Sequence, residues 1–245
     1  MGRARLARLQ RWGMGQVQTA AIFGATGLVG RFCLDLLLAD ERYSRTVAIG
    51  RREPAHMHAK LVVRRAALDS VEAIDDPALG TVDDVFCCLG TTIRKAGSQE
   101  AFRRVDLDYV VNAAAFAKRR GARHFLMVTA VGADARSRVF YSRVKGEAEE
   151  AVTNVGIECV SVFRPSLILG PREESRLKER LAKSVATALS FAMIGSLSKF
   201  RPIEARTIAQ AMLAAAAAPK SGVTVYEFEQ MVAFSETGAV APYGS

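Results

Sequence analysis

Short apolar runs alternate along this chain with longer stretches whose apolar positions recur at helical spacing. Runs of that kind, bounded by turn residues, predict strands buried on both faces, and the longer stretches predict helices that cover them. The first run, Ala-Ala-Ile-Phe at 20–23, leads into a stretch carrying Phe32, Leu34, Leu36, Leu37 and Leu38. Further strands are predicted at 45–50, 60–63, 82–90, 124–129 and 156–169, with an edge strand at 223–228. A long helix is predicted over 99–120, buried through Phe102, Val105, Leu107, Tyr109 and Val110 and stopped by Gly121. A last helix, rich in Ala, Met and Leu, is predicted over 204–218. This alternation predicts an α/β fold, a doubly wound parallel sheet with a small C-terminal lid over about 171–203. One domain is expected over 19–235, with a disordered basic tail at 1–18 and a mobile tail at 236–245.

The bulk composition changes this picture little. A chain of 245 residues, half apolar and a quarter charged, suits one α/β domain with a well-buried core. The net charge of +9 points toward nucleic acid, but Arg3, Arg5, Arg8 and Arg11 precede any fold signal. The other cations are scattered, without a basic stripe interleaved with aromatics, so no nucleic-acid partner is expected. The basic leader has no apolar core, so secretion is not expected, and no transmembrane segment is predicted. Cys33, Cys87, Cys88 and Cys159 lie inside apolar segments, the pattern of buried thiols in a reducing compartment, which predicts a cytoplasmic protein. His56 and His58 have no further His or Cys nearby and read as surface residues, so no metal site is expected.

The first candidate chemistry is Gly24-Ala25-Thr26-Gly27-Leu28-Val29-Gly30. A strand that turns sharply into a helix exposes backbone N–H groups at the positive end of the helix dipole, which binds a pyrophosphate. Gly24 makes the tight turn, Gly27 admits the phosphates and Gly30 lets helix pack on strand, with Thr26, Leu28 and Val29 completing the cradle. The strand at 45–50 then ends in Arg51-Arg52, where an NAD-preferring site would carry an acid for the ribose 2′-hydroxyl. Two guanidiniums there fit a 2′-phosphate instead, and favour NADP (NADPH) as cofactor; the plainer reading is solvated surface arginines. Asp69, after the third strand, is placed beside the adenine ring. Leu89, Gly90 and Thr91, at the carboxyl end of the fourth strand, are placed along the far ribose, or form an ordinary strand-to-loop turn.

The second informative stretch is Phe140-Tyr141-Ser142-Arg143-Val144-Lys145-Gly146-Glu147. Tyr141 and Lys145 are four apart in a segment of helical character and project from one face. An ammonium beside a phenol favours the phenolate, and such a tyrosine can pass the proton that accompanies hydride transfer.

With these motifs the chain resembles the short-chain dehydrogenase/reductases, and within them the small atypical or extended-like branch that includes Tat-interacting-protein-type oxidoreductases and bacterial relatives. The resemblance runs over about 19–218 and rests on the glycine motif at 24–30, Ile-Gly-Arg-Arg at 49–52 and Val-Gly-Ala-Asp at 131–134. It rests equally on Phe-Tyr-Ser-Arg-Val-Lys-Gly-Glu at 140–147 and Phe-Arg-Pro-Ser-Leu-Ile-Leu-Gly at 163–170. It implies Tyr141 as the catalytic acid/base and Lys145 as its partner, also bonded to the nicotinamide ribose. It implies that Pro165 and Ser166 pass along the nicotinamide. The serine this family uses to orient the substrate oxygen is replaced by Thr129-Ala130; Thr129 is the favoured substitute, and if Ala130 holds that position the triad is incomplete. Arg164 reads equally as a functional residue or a paired structural one.

The apolar segment 184–198 carries no formal charge. It reads as a helix covering the sheet, as a lid for an apolar substrate, or as a contact for a second copy, a protein partner or a membrane surface. The whole predicts an NADP(H)-dependent oxidoreductase acting on an unidentified small carbonyl/alcohol substrate. The alternatives are an NADP(H)-binding regulatory or assembly protein with weak or no catalysis and, further off, a nucleotide-sugar epimerase.

Overall fold

Alternate burial on both faces makes β1 (Gln18–Phe23) a central strand: Ala20 and Ile22 pack into one core and Ala21 and Phe23 into the other. The computed structural model describes residues 17–55, 57–170 and 195–237. On one side of β1 lie β2 (Tyr43–Gly50) and then β3 (Leu61–Arg65). On the other lie β4 (Asp84–Cys87), β5 (His124–Val128) and β6 (Cys159–Phe163). A separate two-stranded ladder pairs β7 (Ile168–Leu169) with β8 (Ile203–Glu204), and β9 (Gly222–Tyr226) closes the main sheet as its edge beyond β6. All seven strands of the main sheet, in order β3-β2-β1-β4-β5-β6-β9, pair in parallel. This is a Rossmann-like sheet. Its strand order reverses between β1 and β4, so a crevice opens at their carboxyl ends.

Helices cover both faces. α1 (Leu28–Ala39) packs on the Ile22 side through Leu34 and Leu37. α2 (Val71–Ile74), α3 (Ile93–Ala96) and α4 (Gln99–Arg103) are short and lie between the strands along the chain. α5 (Tyr109–Arg119) and α6 (Phe140–Asn154) cover the Phe23 side, with Phe23 meeting Phe116 edge-on at 5.6 Å. α7 (Ala205–Ala217) and α8 (Phe228–Thr237) join α1 on the Ile22 side through Met212 and Met231.

Four expectations change. The helix predicted over 99–120 is interrupted by a π-helical turn at Arg104–Asp108, which joins α4 to α5 and turns Asp106 into the protein. The strand predicted over 156–169 stops at Phe163. Arg164 still donates its N–H to Tyr226 at 2.9 Å, but Pro165 has no N–H to continue the ladder. β1 begins at Gln18 and α8 ends at Thr237, one residue before and two residues after the expected bounds of 19–235. Residues 1–16, 56, 171–194 and 238–245 lie outside the described residues, and with them the basic tail to residue 16, His56, most of the expected lid and most of the apolar 184–198 segment.

A buried polar cluster sits at the amino ends of the central strands, away from the crevice. Tyr43 donates its hydroxyl to Asp84 at 2.6 Å, and His124 shares a 2.9 Å hydrogen bond with Ser161. Burial pushes the Asp84 carboxyl up to about 6 and pulls the His124 imidazole down to about 4. The two act oppositely on stability. His124, depressed from 6.5, contributes stability above that value that is lost as pH falls toward 4. Asp84, raised from 3.8, costs stability as pH rises to about 6. Relative to the unaltered protein, His124→Gln should therefore gain about 2–3 kcal/mol between about pH 7 and about pH 4.5, and Asp84→Asn should lose a similar amount. Urea unfolding at both pH values checks the signs; parallel pH profiles for all three proteins would contradict them.

Candidate active site

The turn from β1 into α1 is set by contact distances. Gly24 has φ +78°, and a Cβ there would lie 2.6 Å from the Cys88 carbonyl oxygen. A Cβ on Gly30 would lie 2.0 Å from the Gly24 carbonyl oxygen, so α1 reaches the strand tip only with glycine at that position. The N-cap of α1, Gly27, supplies no side-chain cap, and no acidic residue occupies the first turn. The first N–H groups of a 12-residue helix are thus left for an anion.

This turn forms one end of a cleft of about 1130 Å³ at the carboxyl ends of the strands. Thr26, Gly27, Leu28, Val29, Arg51 and Arg52 line it, followed by Leu89, Gly90 and Thr91. Thr129, Tyr141, Lys145 and Ser166 line the same cleft. A narrower recess of about 120 Å³ runs under the glycine turn, bounded by Gly24, Ile49 and Leu68. Both guanidiniums are exposed and form no ion pair among the described residues; Arg51 lies over the Tyr109 ring at 5.8 Å, and its charge helps Arg104 and Tyr109 hold the Asp69 carboxyl down. Glu53, close by in sequence, is turned to Arg65 at 3.8 Å.

Three expected cofactor residues line neither the cleft nor the recess under the turn. Gly30 packs against Gly24 beneath it. Pro165 is buried, and its carbonyl accepts the Val131 N–H at 2.8 Å. Asp69 lines a neighbouring recess of about 320 Å³, where Arg104 donates from Nε at 2.8 Å and Tyr109 from its hydroxyl at 3.1 Å. The Arg104 guanidinium holds the Asp69 carboxyl below its usual range.

Tyr141 sits in the first turn of α6, its ring against Phe102 at 5.5 Å, and Lys145 follows one turn later. Lys145 is buried, and its Nζ lies 2.7 Å from Oδ1 of the equally buried Asp106. The other oxygen of Asp106 accepts the Thr91 N–H at 2.9 Å. Burial alone would lower the lysine's pKa, but Asp106 and Tyr141 outweigh it, so Lys145 is held as a cation beside the phenol. Sequence reasoning missed Asp106. The available signal was a carboxylate four residues after Phe102 and four before Val110, on the buried stripe of a regular helix.

Thr129 behaves differently from the expectation. Its hydroxyl donates to Glu149 at 2.6 Å, and Arg164 grips the same carboxylate through both Nε, at 3.0 Å, and Nη2. Arg164 is therefore paired, as its structural reading held, and the hydroxyl proton of Thr129 is directed to Glu149. Ala130 beside it has no hydroxyl to offer. Of the thiols, Cys33, Cys87 and Cys159 are buried, and burial pushes Cys87 up to about 12, far from a reactive thiolate.

The Lys145–Asp106 pair generates a stability prediction. Asp106→Ala strands a buried ammonium and should cost about 3–5 kcal/mol, most of it recovered by adding Lys145→Met. Urea unfolding of the single and double variants measures this, and purely additive losses would contradict a direct pair.

A family model described as NAD(P)H-binding matches residues 24–219. Rat protein HTATIP2 is 37% identical over 216 residues, covering 84% of this chain and 84% of the rat protein. The Emericella nidulans protein fmp52, mitochondrial, is 36% identical over 174 residues, covering 69% of this chain and 75% of that protein. Among solved structures, Bordetella bronchiseptica WbmH in complex with NAD+ superposes with TM-score 0.63 at 15% identity, covering 86% of this chain and 76% of that one. MoeE5 in complex with UDP-glucose and NAD gives TM-score 0.61 at 14% identity, covering 89% and 81%. These structural likenesses establish the fold. The fungal names also correct one expectation: relatives from Emericella nidulans, Candida albicans and Coccidioides immitis are named as mitochondrial, against the cytoplasmic location inferred from buried cysteines. Buried thiols report a reducing environment and do not distinguish one such compartment from another.

Proposed function

The chain belongs to the NAD(P)H-binding family, and from that premise we propose that it is an NADP(H)-dependent oxidoreductase of the short-chain dehydrogenase/reductase type, interconverting a carbonyl and an alcohol. The observation that carries this reading is that the glycine turn, two exposed guanidiniums without an ion pair among the described residues and the Tyr141–Lys145 pair line one cleft. A bound nicotinamide would supply or accept the hydride. Tyr141 donates its phenolic proton to the oxygen of the carbonyl during reduction, and takes it back during oxidation. Lys145 stabilises the phenolate left behind and would hold the ribose of a bound dinucleotide, while Asp106 holds the ammonium in place. Arg51 and Arg52 select the phosphorylated dinucleotide by charge and by their forked donors.

One observation favours a second reading, an NADP(H)-binding regulatory or assembly protein with little turnover. The hydroxyl of Thr129 is committed to Glu149 and Ala130 has none, so the substrate oxygen lacks the partner that the resembled family supplies. The epimerase reading has only the shared fold behind it.

NADPH should raise the melting temperature more than NADH, and Arg51→Asp combined with Arg52→Ala should reverse that order; equal stabilisation by both would sink the NADP assignment. In a panel of carbonyl substrates, Tyr141→Phe should abolish turnover with NADPH stabilisation unchanged. If unaltered protein, Thr129→Ser and Ala130→Ser all bind NADPH without turnover, the second reading takes over.

A further inference from the structure

Five cations line the cleft among the described residues, Arg51, Arg52, Lys95, Arg104 and Lys145, and no carboxylate does. Four of them have a use. Lys145 holds Asp106, Arg104 holds Asp69, and Arg51 and Arg52 stand at the strand tip assigned above to the adenosine phosphate. Lys95 has none. It lies in α3, whose N-cap Thr92 accepts the Lys95 backbone N–H at 3.2 Å, and its ammonium has no acidic partner among the described residues. Elsewhere the wall is apolar, through Ala96 and Ala101 and through Leu167, Ile168 and Leu169. The last strip is stiffened by its ladder, with Ile203 donating to the Leu167 carbonyl at 3.0 Å. Leu167 keeps 59% of its surface exposed, an apolar area with nothing described upon it.

An unneutralised cation in a concave wall without carboxylates concentrates anions, and an apolar strip in the same cleft gains by covering alkyl carbon. A polyhydroxylated neutral substrate would find no carboxylate acceptors there. We propose that the substrate is an amphipathic anion: a carboxylate or phosphate head held by Lys95, an alkyl portion along Leu167–Leu169, and an oxo group presented to Tyr141. The chemistry at the oxo group rests on the oxidoreductase reading above; the binding of head and chain does not.

The test uses the full chain loaded with NADPH and four unreactive probes, octanoate, octyl phosphate, methyl octanoate and octan-1-ol, titrated calorimetrically. Octanoate or octyl phosphate should bind about tenfold or more tighter than the two neutral probes, the anion that does so identifying the head group. Lys95→Ala should remove that preference and Lys95→Arg should keep it. Equal binding of charged and neutral probes, no binding of any probe, or a preference that survives Lys95→Ala would overturn the proposal. Thermal stabilisation by NADPH, recorded on the same samples, reports separately on the cofactor reading. Its absence would defeat the oxidoreductase assignment whatever the probes do, and its presence with indifferent probes would defeat only the substrate class.

Discussion

A carboxylate and an ammonium, both shut away from solvent, tie together the parts of the cleft that come from distant stretches of chain. Asp106 reaches Lys145 on α6 with one oxygen and the Thr91 N–H after β4 with the other. Leaving either charge buried alone would cost several kcal/mol, roughly a third or more of the stability of an ordinary domain. The chain accommodates the pair by opening the helix into a π-helical turn at Arg104–Asp108, a local departure from the geometry that apolar spacing prescribes. The same turn presents Arg104 to Asp69 and is followed directly by Tyr109, over whose ring Arg51 lies. One irregularity thus serves both ends of the cleft.

The second constraint is steric. With Gly30 against the Gly24 carbonyl and Gly24 against that of Cys88, the start of α1, the tip of β1 and the tip of β4 converge to van der Waals limits. Parallel strands put every carboxyl end on one edge of the sheet, so the loops bearing Arg51, Leu89, Thr129 and Ser166 all open toward the same crevice. Tyr141 and Lys145 arrive there because α6 runs back over the sheet from the loop that follows β5.

Much of this was readable from the chain. Alternating apolar runs located the strands, and the glycine spacing with Arg51, Arg52, Tyr141 and Lys145 located the cleft, because these signals are local and periodic. What was not readable depends on contacts between distant segments. Asp106 falls on the buried stripe of the predicted helix, but nothing local identifies the cation that pairs with it, Lys145, which is brought from α6. Thr129 looks available until Glu149, twenty residues on, takes its hydroxyl. The strand after Gly156 seemed continuous because apolar residues carry on past Pro165, although a residue without an N–H cannot extend a ladder. α8 was hidden because the Gly- and Pro-bearing composition of the last residues masked the helical segment before them.

Binding and chemistry therefore stand on different footings in this molecule. The phosphate cradle follows from backbone geometry and is supported by membership of the NAD(P)H-binding family, while the proposed proton transfer depends on Tyr141 and Lys145 without the free hydroxyl that the resembled short-chain dehydrogenase/reductases place beside them. The most direct measurement is a crystal structure of the NADPH complex. It should show the 2′-phosphate on Arg51 and Arg52, and the nicotinamide ribose within about 2.6–3.2 Å of Lys145 Nζ, with the ring facing Tyr141. A dinucleotide bound by the glycine turn with its nicotinamide end away from Tyr141 and Lys145 would contradict the account.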